Sequence, residues 1–176
     1  IKKVYLPREV FPLAATGSAL FNFFVQFLVL FVATILMGQV PFSWNFFYVP
    51  LAVLLLLSFS FAVGLLFSAI NVYFRDMQHL VEVLVLVLFW GSPIVYSFSL
   101  VHKLLAGNWL EQLYLANPIT IGIMGFQRGM WIAGSSEVWP PDLALRMAVM
   151  TVVCLVFVWV SQRVFARLEG NFAQEI

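Results

Sequence analysis

The stretch LAATGSALFNFFVQFLVLFVATILM, residues 13–37, contains no Asp, Glu, Lys, Arg or His. As a helix it would be roughly 37 Å long, which exceeds the roughly 30 Å hydrocarbon core of a bilayer. Pro12 stands before it, and Gly38-Gln39-Val40-Pro41 ends it. The rest of the chain is of the same kind. Of 176 residues, 63% are hydrophobic and only 10% are charged, against about one quarter charged in an average globular protein. A soluble fold of this size could not bury so much apolar surface. The charges are also segregated, with none in 28–39 or 83–101. The chain reads as helices solvated by lipid.

Three more spans are expected, over 46–70, 80–96 and 143–164. Pro50 falls in the first turn of the first of these, where a missing N–H costs little. The second is barely long enough and is disturbed near its end by Ser92-Pro93. A different kind of segment, 113–131, lies before the last span. Asn117-Pro118 interrupts it, and the apolar piece that follows would be about 20 Å long as a helix, too short to cross. It also carries Gln127 and Arg128, and such polar groups at membrane depth need protein or a water-filled cavity around them. A re-entrant or interfacial hairpin is expected; a helix lying flat on the membrane surface is the alternative. The expected fold class is all-α: a polytopic transmembrane helix bundle with a re-entrant helical hairpin before the last span.

The basic residues give the bundle a direction. Lys2, Lys3, Arg8, Arg75, Arg163 and Arg167 fall on one side, against Lys103, Arg128 and Arg146 on the other. The richer side is cytoplasmic by the positive-inside rule. Both ends of the chain are then cytoplasmic, as four crossings require. Trp44, Tyr48, Trp109, Tyr114, Trp131 and Trp139 fall on the outer side, and only Tyr5, Tyr73 and Trp159 near the inner one. That asymmetry fits a specialised outer surface, although an ordinary interfacial belt is also open.

Several polar groups fall inside the spans. Ser18, Asn22 and Gln26 recur every four residues and share one face of the first helix. That face meets protein or a polar pathway, because amides in hydrocarbon need partners. Interhelical hydrogen bonding with no role in transport is the other reading. Ser60, Gly64 and Ser68 on the second span, and Gly125 with Gly129 on the short segment, would let helices approach closely. Arg75, Asp76, His79 and Glu82 cluster at the cytoplasmic start of the third span. They are read as a cytoplasmic contact or gate, or as a charge cluster that only sets topology. Arg128 should meet Glu111, Glu137, Asp142 or a helix carboxyl end, since a buried unpaired arginine is costly.

Other chemistries lack residues. No G-x-x-x-x-G-K-[ST], H-E-x-x-H or G-x-S-x-G occurs, so a catalytic role has nothing to rest on. Cys154 is the only cysteine and excludes an intrachain disulfide. His79 and His102 fall on opposite sides of the membrane, so they are not expected to share a metal. With a net charge of +1 and no basic patch interleaved with aromatics, nucleic acid is not an expected partner. The chain starts at Ile1 without a charged region leading into a short apolar run, and is read as the later part of a longer protein.

Five stretches occur together in one order: IKKVYLPREVFPL (1–13), NVYFRD (71–76), SPIVY (92–96), NPIT (117–120) followed by Arg128, and FARLEGNFA (165–173). In that order they resemble type-2 ABC exporter permeases for bacterial surface polysaccharides such as O-antigen, teichoic acid and galactan. The resemblance covers the whole chain. It implies that residues 1–12 are the cytoplasmic coupling helix, with Lys2, Lys3, Tyr5, Pro7, Arg8 and Glu9 docking on an ABC ATPase subunit. It also implies that the four spans are the last four of six, with an N-terminal amphipathic helix and two spans missing here.

On the same resemblance, two copies of the permease assemble with two ATPase subunits in the bacterial plasma membrane. ATP and Mg would be bound by the ATPase, so this chain itself carries no cofactor. The substrate implied is a lipid-linked glycan, moved past membrane lipid to the outer face. Tyr96, Tyr114, Asn117, Pro118, Arg128 and Trp131 are the expected outer gate or glycan-stacking residues. Two alternatives stand beside this one: an ABC exporter of small lipophilic molecules or drugs, and a structural membrane subunit or channel with no ATPase partner.

Overall fold

Pro12, Pro50 and Pro118 each sit in the first turn of a helix, where the backbone N–H has no intrahelical acceptor to lose. The computed structural model describes residues 10–38, 43–71, 74, 76–130 and 137–169. Lys2, Lys3, Tyr5, Pro7, Arg8, Glu9, Arg75 and Trp131 lie outside the described residues. The elements are α1 (Val10–Leu36), a 3-10 turn (Trp44–Phe47), α2 (Tyr48–Asn71), α3 (Met77–Trp90), α4 (Phe98–Leu105), α5 (Trp109–Leu115), α6 (Pro118–Met130) and α7 (Leu143–Glu169). No strand occurs among the described residues. α1 takes up Val10 and Pro12, which the resemblance assigns to the coupling segment.

Among the described residues, three helices are long and apolar enough to cross a membrane: Pro12–Leu36, Trp44–Asn71 and Leu143–Leu168. The span expected over 80–96 is not among them. α3 begins at Met77 but stops at Trp90, a 14-residue helix only about 21 Å long. Pro93 explains the stop, because it lacks an N–H and steers Ser92 away from helical backbone. The region before α7 also differs from the expected single hairpin over 113–131. It holds three short helices, α4, α5 and α6, and the first of these was not anticipated.

α2 is the central strut, packed along α7 and α6. At one end Ala52, Leu55, Phe98, Leu115, Ile121, Met124, Leu143 and Met147 form the larger core. At the other end Leu65, Ala69 and Phe165 form a smaller one. The buried face of α2 is Val49, Ala52, Leu55, Ser58, Ala62, Leu65 and Ala69. The small-residue stripe expected at Ser60, Gly64 and Ser68 is therefore not the packing face within this chain. Ser60 and Gly64 are exposed, and a Cβ on Gly64 would meet nothing within 4 Å. Alanines and Ser58 supply the close approach instead. Of the glycines of α6, Gly122 and Gly129 face α2, where a Cβ on Gly129 would stand 2.5 Å from Val49 Cγ2, and Gly125 lies closest to Met147 of α7.

α1 is the least embedded of the long helices. It packs along α2 and reaches α6 through a run of phenylalanines. Phe23, Phe27 and Phe31 stack along the helix at 6.1 Å spacings. Phe23 and Phe27 both meet the edge of Phe126 on α6, at 6.1 and 6.0 Å. At 100° per residue, Ser18, Asn22 and Gln26 lie well round the helix from these rings, and all three are exposed.

Candidate functional site

A helix that ends at Trp90 leaves its last carbonyls without intrahelical partners. Side chains from its own continuation and from α6 take them. The Tyr96 hydroxyl donates to Trp90 O at 2.9 Å, and Thr120 Oγ1 donates to Gly91 O at 3.4 Å. Gln127 Nε2 donates to Pro93 O at 2.9 Å. The turn of residues 91–96 is thus laid on α6, which starts with an Asn117 cap: Asn117 Oδ1 accepts from Ile119 N–H at 3.0 Å. Asn117-Pro118 is therefore a helix start, with its polar side chain turned onto its own backbone.

Tyr96 and Tyr114 are brought together, the Tyr114 hydroxyl donating to that of Tyr96 at 3.4 Å. Burial first, and then the neighbouring Tyr96 hydroxyl, hold the Tyr114 phenol well above its ordinary pKa, so it stays a neutral donor. Tyr114 also stacks on Phe98 at 6.3 Å, tying α5 to α4.

Arg128 lies in the last turn of α6 and is half-buried. It makes no ion pair among the described residues. Its guanidinium instead lies over Tyr48 at 5.1 Å and over Trp139 at 5.9 Å. Of the partners the sequence offered, Glu111, Glu137 and Asp142 are not used; the helix carboxyl end is, supplemented by two aromatic faces. Tyr48 and Trp139 are the residues missed here, although both were visible as outer aromatics.

Glu111 has another task. This buried carboxylate meets His102 Nδ1 at 2.6 Å and accepts from Gly107 N–H at 3.4 Å. Gly107 has φ +78°, a conformation that suits only glycine in this tight link between α4 and α5. Breaking the staple with His102→Ala or Glu111→Gln should loosen the α4–α5 corner. In a double-mutant cycle on thermal unfolding of the purified full-length permease, a coupling of about 1 kcal/mol is expected. A coupling indistinguishable from zero would mean that the two side chains only lie side by side.

The remaining described candidates are not gathered into this site. Asp76, His79 and Glu82 sit together at the start of α3 and are exposed; His79 Nδ1 is 3.6 Å from Glu82 Oε2. Ser18, Asn22 and Gln26 lie along α1. The described part of the site is a cluster of short helices wedged against α2 and α7, pinned by polar side chains on exposed carbonyls and rich in aromatic faces.

The sequence matches the family described as "ABC-2 type transporter" over residues 2–131. It is 29% identical over 176 residues to the O-antigen export system permease protein RfbA of Myxococcus xanthus, covering 100% of this chain and 64% of that protein. An O-antigen export system permease protein RfbA of Klebsiella pneumoniae is 30% identical over 104 residues, 58% of this chain and 40% of that protein. The chain thus spans less than two thirds of the length of the relatives it matches.

Proposed function

Because the chain belongs to the ABC-2 type transporter family, we propose that it is the permease part of an ATP-driven exporter of lipid-linked polysaccharide. The substrate moves from the cytoplasm to the outer face of the bacterial plasma membrane. The observation that carries this reading is the alignment of the whole chain with a protein named as an O-antigen export permease. A separate ATPase subunit binds ATP and Mg and supplies the hydrolysis.

The geometry suits a relay. Residues 1–12, with Lys2, Lys3, Tyr5, Pro7, Arg8 and Glu9, dock on the ATPase, and they lead into α1, a rod of 27 residues. The phenylalanine run of α1 bears on Phe126, so a tilt of α1 presses on α6. α6 receives the carbonyl-pinned turn of 91–96, beside which Tyr96 meets Tyr114, and it carries Arg128 in its last turn. A glycan slides past faces of that kind without needing a fixed sequence of contacts. The exposed Ser18, Asn22 and Gln26 face meets the pathway or a second copy, and the Arg75, Asp76, His79 and Glu82 group is a second cytoplasmic contact. α3 and the turn of 91–96 together make the fourth crossing, which returns both ends of this chain to the cytoplasm.

The test is reconstitution of the full-length permease with its ATPase in vesicles loaded with labelled lipid-linked glycan. ATP-dependent appearance of glycan on the far side is expected. Arg8→Glu should lower the amount of co-purified ATPase about tenfold, the size expected for a central interface charge. Unchanged recovery and unchanged ATP-driven export would remove the coupling role from residues 1–12.

A further inference from the structure

Beside the aromatic cluster is a cavity of about 220 Å³ between the turn of 94–98, α6 and the segment 137–139. Tyr96, Ser97, Phe98, Gln127, Glu137 and Trp139 line it. Three of these are fixed by bonds that point elsewhere. Tyr96 spends its hydroxyl on Trp90 O and on Tyr114, so it offers the cavity chiefly its ring. Gln127 spends one amide N–H on Pro93 O, and its Oε1 has no partner among the described residues. Trp139 is held beneath the Arg128 guanidinium. The Glu137 carboxylate has no partner among the described residues, and neither has the Trp139 indole N–H.

Among the described residues the cavity therefore combines rigid aromatic faces with two unspent acceptors, Glu137 and Gln127 Oε1, and two unspent donors, the Trp139 N–H and the second Gln127 N–H. That combination suits a polyol ring, whose C–H face packs on an aromatic plane while its hydroxyls donate to carboxylate and amide oxygens. An acyl chain would leave Glu137 and Gln127 desolvated and unpaired, and a phosphate would be repelled by Glu137. The volume is below that of pockets for drug-sized ligands, which start at about 300 Å³, so one ring fits and an oligosaccharide does not.

We propose that this cavity is a subsite for a single neutral sugar ring of the transported glycan, held by Trp139, Tyr96, Gln127 and Glu137. The inference rests on the polysaccharide-export reading and adds a fixed stopping point to it. Because Tyr96, Gln127 and Trp139 are already held, the ring meets a site where only Glu137 has still to be ordered. A sugar that pauses there would let the chain advance in steps rather than slip back.

The test uses the full-length permease co-expressed with its ATPase in cells whose glycan carries a radioactive sugar. A photoreactive benzoylphenylalanine replaces Val138, which lines the cavity, or Leu155 as a control on the exposed face of α7. A labelled glycan adduct is expected at position 138 and not at 155. Trp139→Ala and Glu137→Gln should each reduce the adduct at 138 about fivefold or more, the ratio produced by one lost contact. Glycan export, measured in the same cells, reports on the parent reading. If export proceeds and position 138 gives no glycan adduct, or gives a phospholipid adduct instead, the subsite is wrong while the exporter stands. If the cells export no glycan, the parent reading fails.

Discussion

Gly129→Leu is expected to leave almost no monodisperse permease after detergent extraction, whereas Gly64→Leu should extract like the wild type. The two glycines lie on neighbouring helices and look alike in the sequence. Their surroundings differ. A Cβ on Gly129 would meet Val49 Cγ2 at 2.5 Å, Asn45 O at 3.2 Å and Val49 N at 3.3 Å. Two of those atoms are backbone, one in the 3-10 turn and one in the first turn of α2, so a rotamer change of Val49 relieves only the nearest of the three contacts. Even Gly129→Ala should cost about 1–3 kcal/mol, as overpacking of a close contact does. A leucine adds three more carbons to the same gap.

Lipid tails are as apolar as the leucines of a helix interface, so little hydrophobic drive would close α6 back onto α2 once the fit is lost. A Cβ on Gly64 would meet no atom outside its own helix turn within 4 Å, and replacing a helical glycine removes a propensity penalty of about 1 kcal/mol. Size-exclusion profiles of fluorescent fusions would compare the two directly. Val49→Ala placed beside Gly129→Ala should restore much of the loss, because it removes the nearest clashing carbon. Equal profiles for the leucine variants at 129 and 64 would show that α6 is not held by close approach.

The difference between these glycines marks where sequence reading stops. Long apolar runs bounded by proline and glycine placed α1, α2 and α7 to within a few residues at most of their ends, because in lipid only a continuous helix satisfies the backbone. The bounds of α3, Met77–Trp90, differ from the expected 80–96. Its apolar character runs on through Ile94-Val95-Tyr96, and hydropathy does not register that Pro93 ends the helix before them. α4 escaped notice because Phe98–Leu105 is short and carries His102 and Lys103, so neither length nor hydropathy singled it out.

Which small residues pack is decided by helix rotation, and that depends on the partner helix rather than on the spacing alone. Ser60, Gly64 and Ser68 satisfied the spacing, yet Ala52, Ser58 and Ala62 are the ones buried. The polar logic carried further. Gln127 and Thr120 find acceptors because a broken helix exposes carbonyls, and a sequence that breaks a helix at membrane depth must supply such donors nearby. Which donor meets which carbonyl is a matter of three-dimensional placement.

Arg128 shows the same limit and permits the sharper test. Cost alone required a compensating group, and a carboxylate was the obvious one; the two aromatic faces do the work together with the end of α6. Each cation–π contact contributes about 0.5–1 kcal/mol when partly exposed and more when desolvated. The favourable position at a helix C-terminus adds about 0.3–1 kcal/mol. Arg128→Glu removes these and sets an anion against two electron-rich faces and against the negative end of the helix. A loss of about 2–3 kcal/mol is expected.

Arg128→Lys keeps the charge but not the flat guanidinium that stacks on a ring, so it should fall between glutamate and wild type. Thermal unfolding gives the stability order. Indole fluorescence quenching by aqueous iodide reads the local consequence, since Trp139 loses its lid in the glutamate variant. The order wild type, lysine, glutamate should appear in both measurements. If glutamate were tolerated as well as lysine, the guanidinium would be a bystander, and the fixed orientation of Trp139 on which the sugar subsite depends would need another cause.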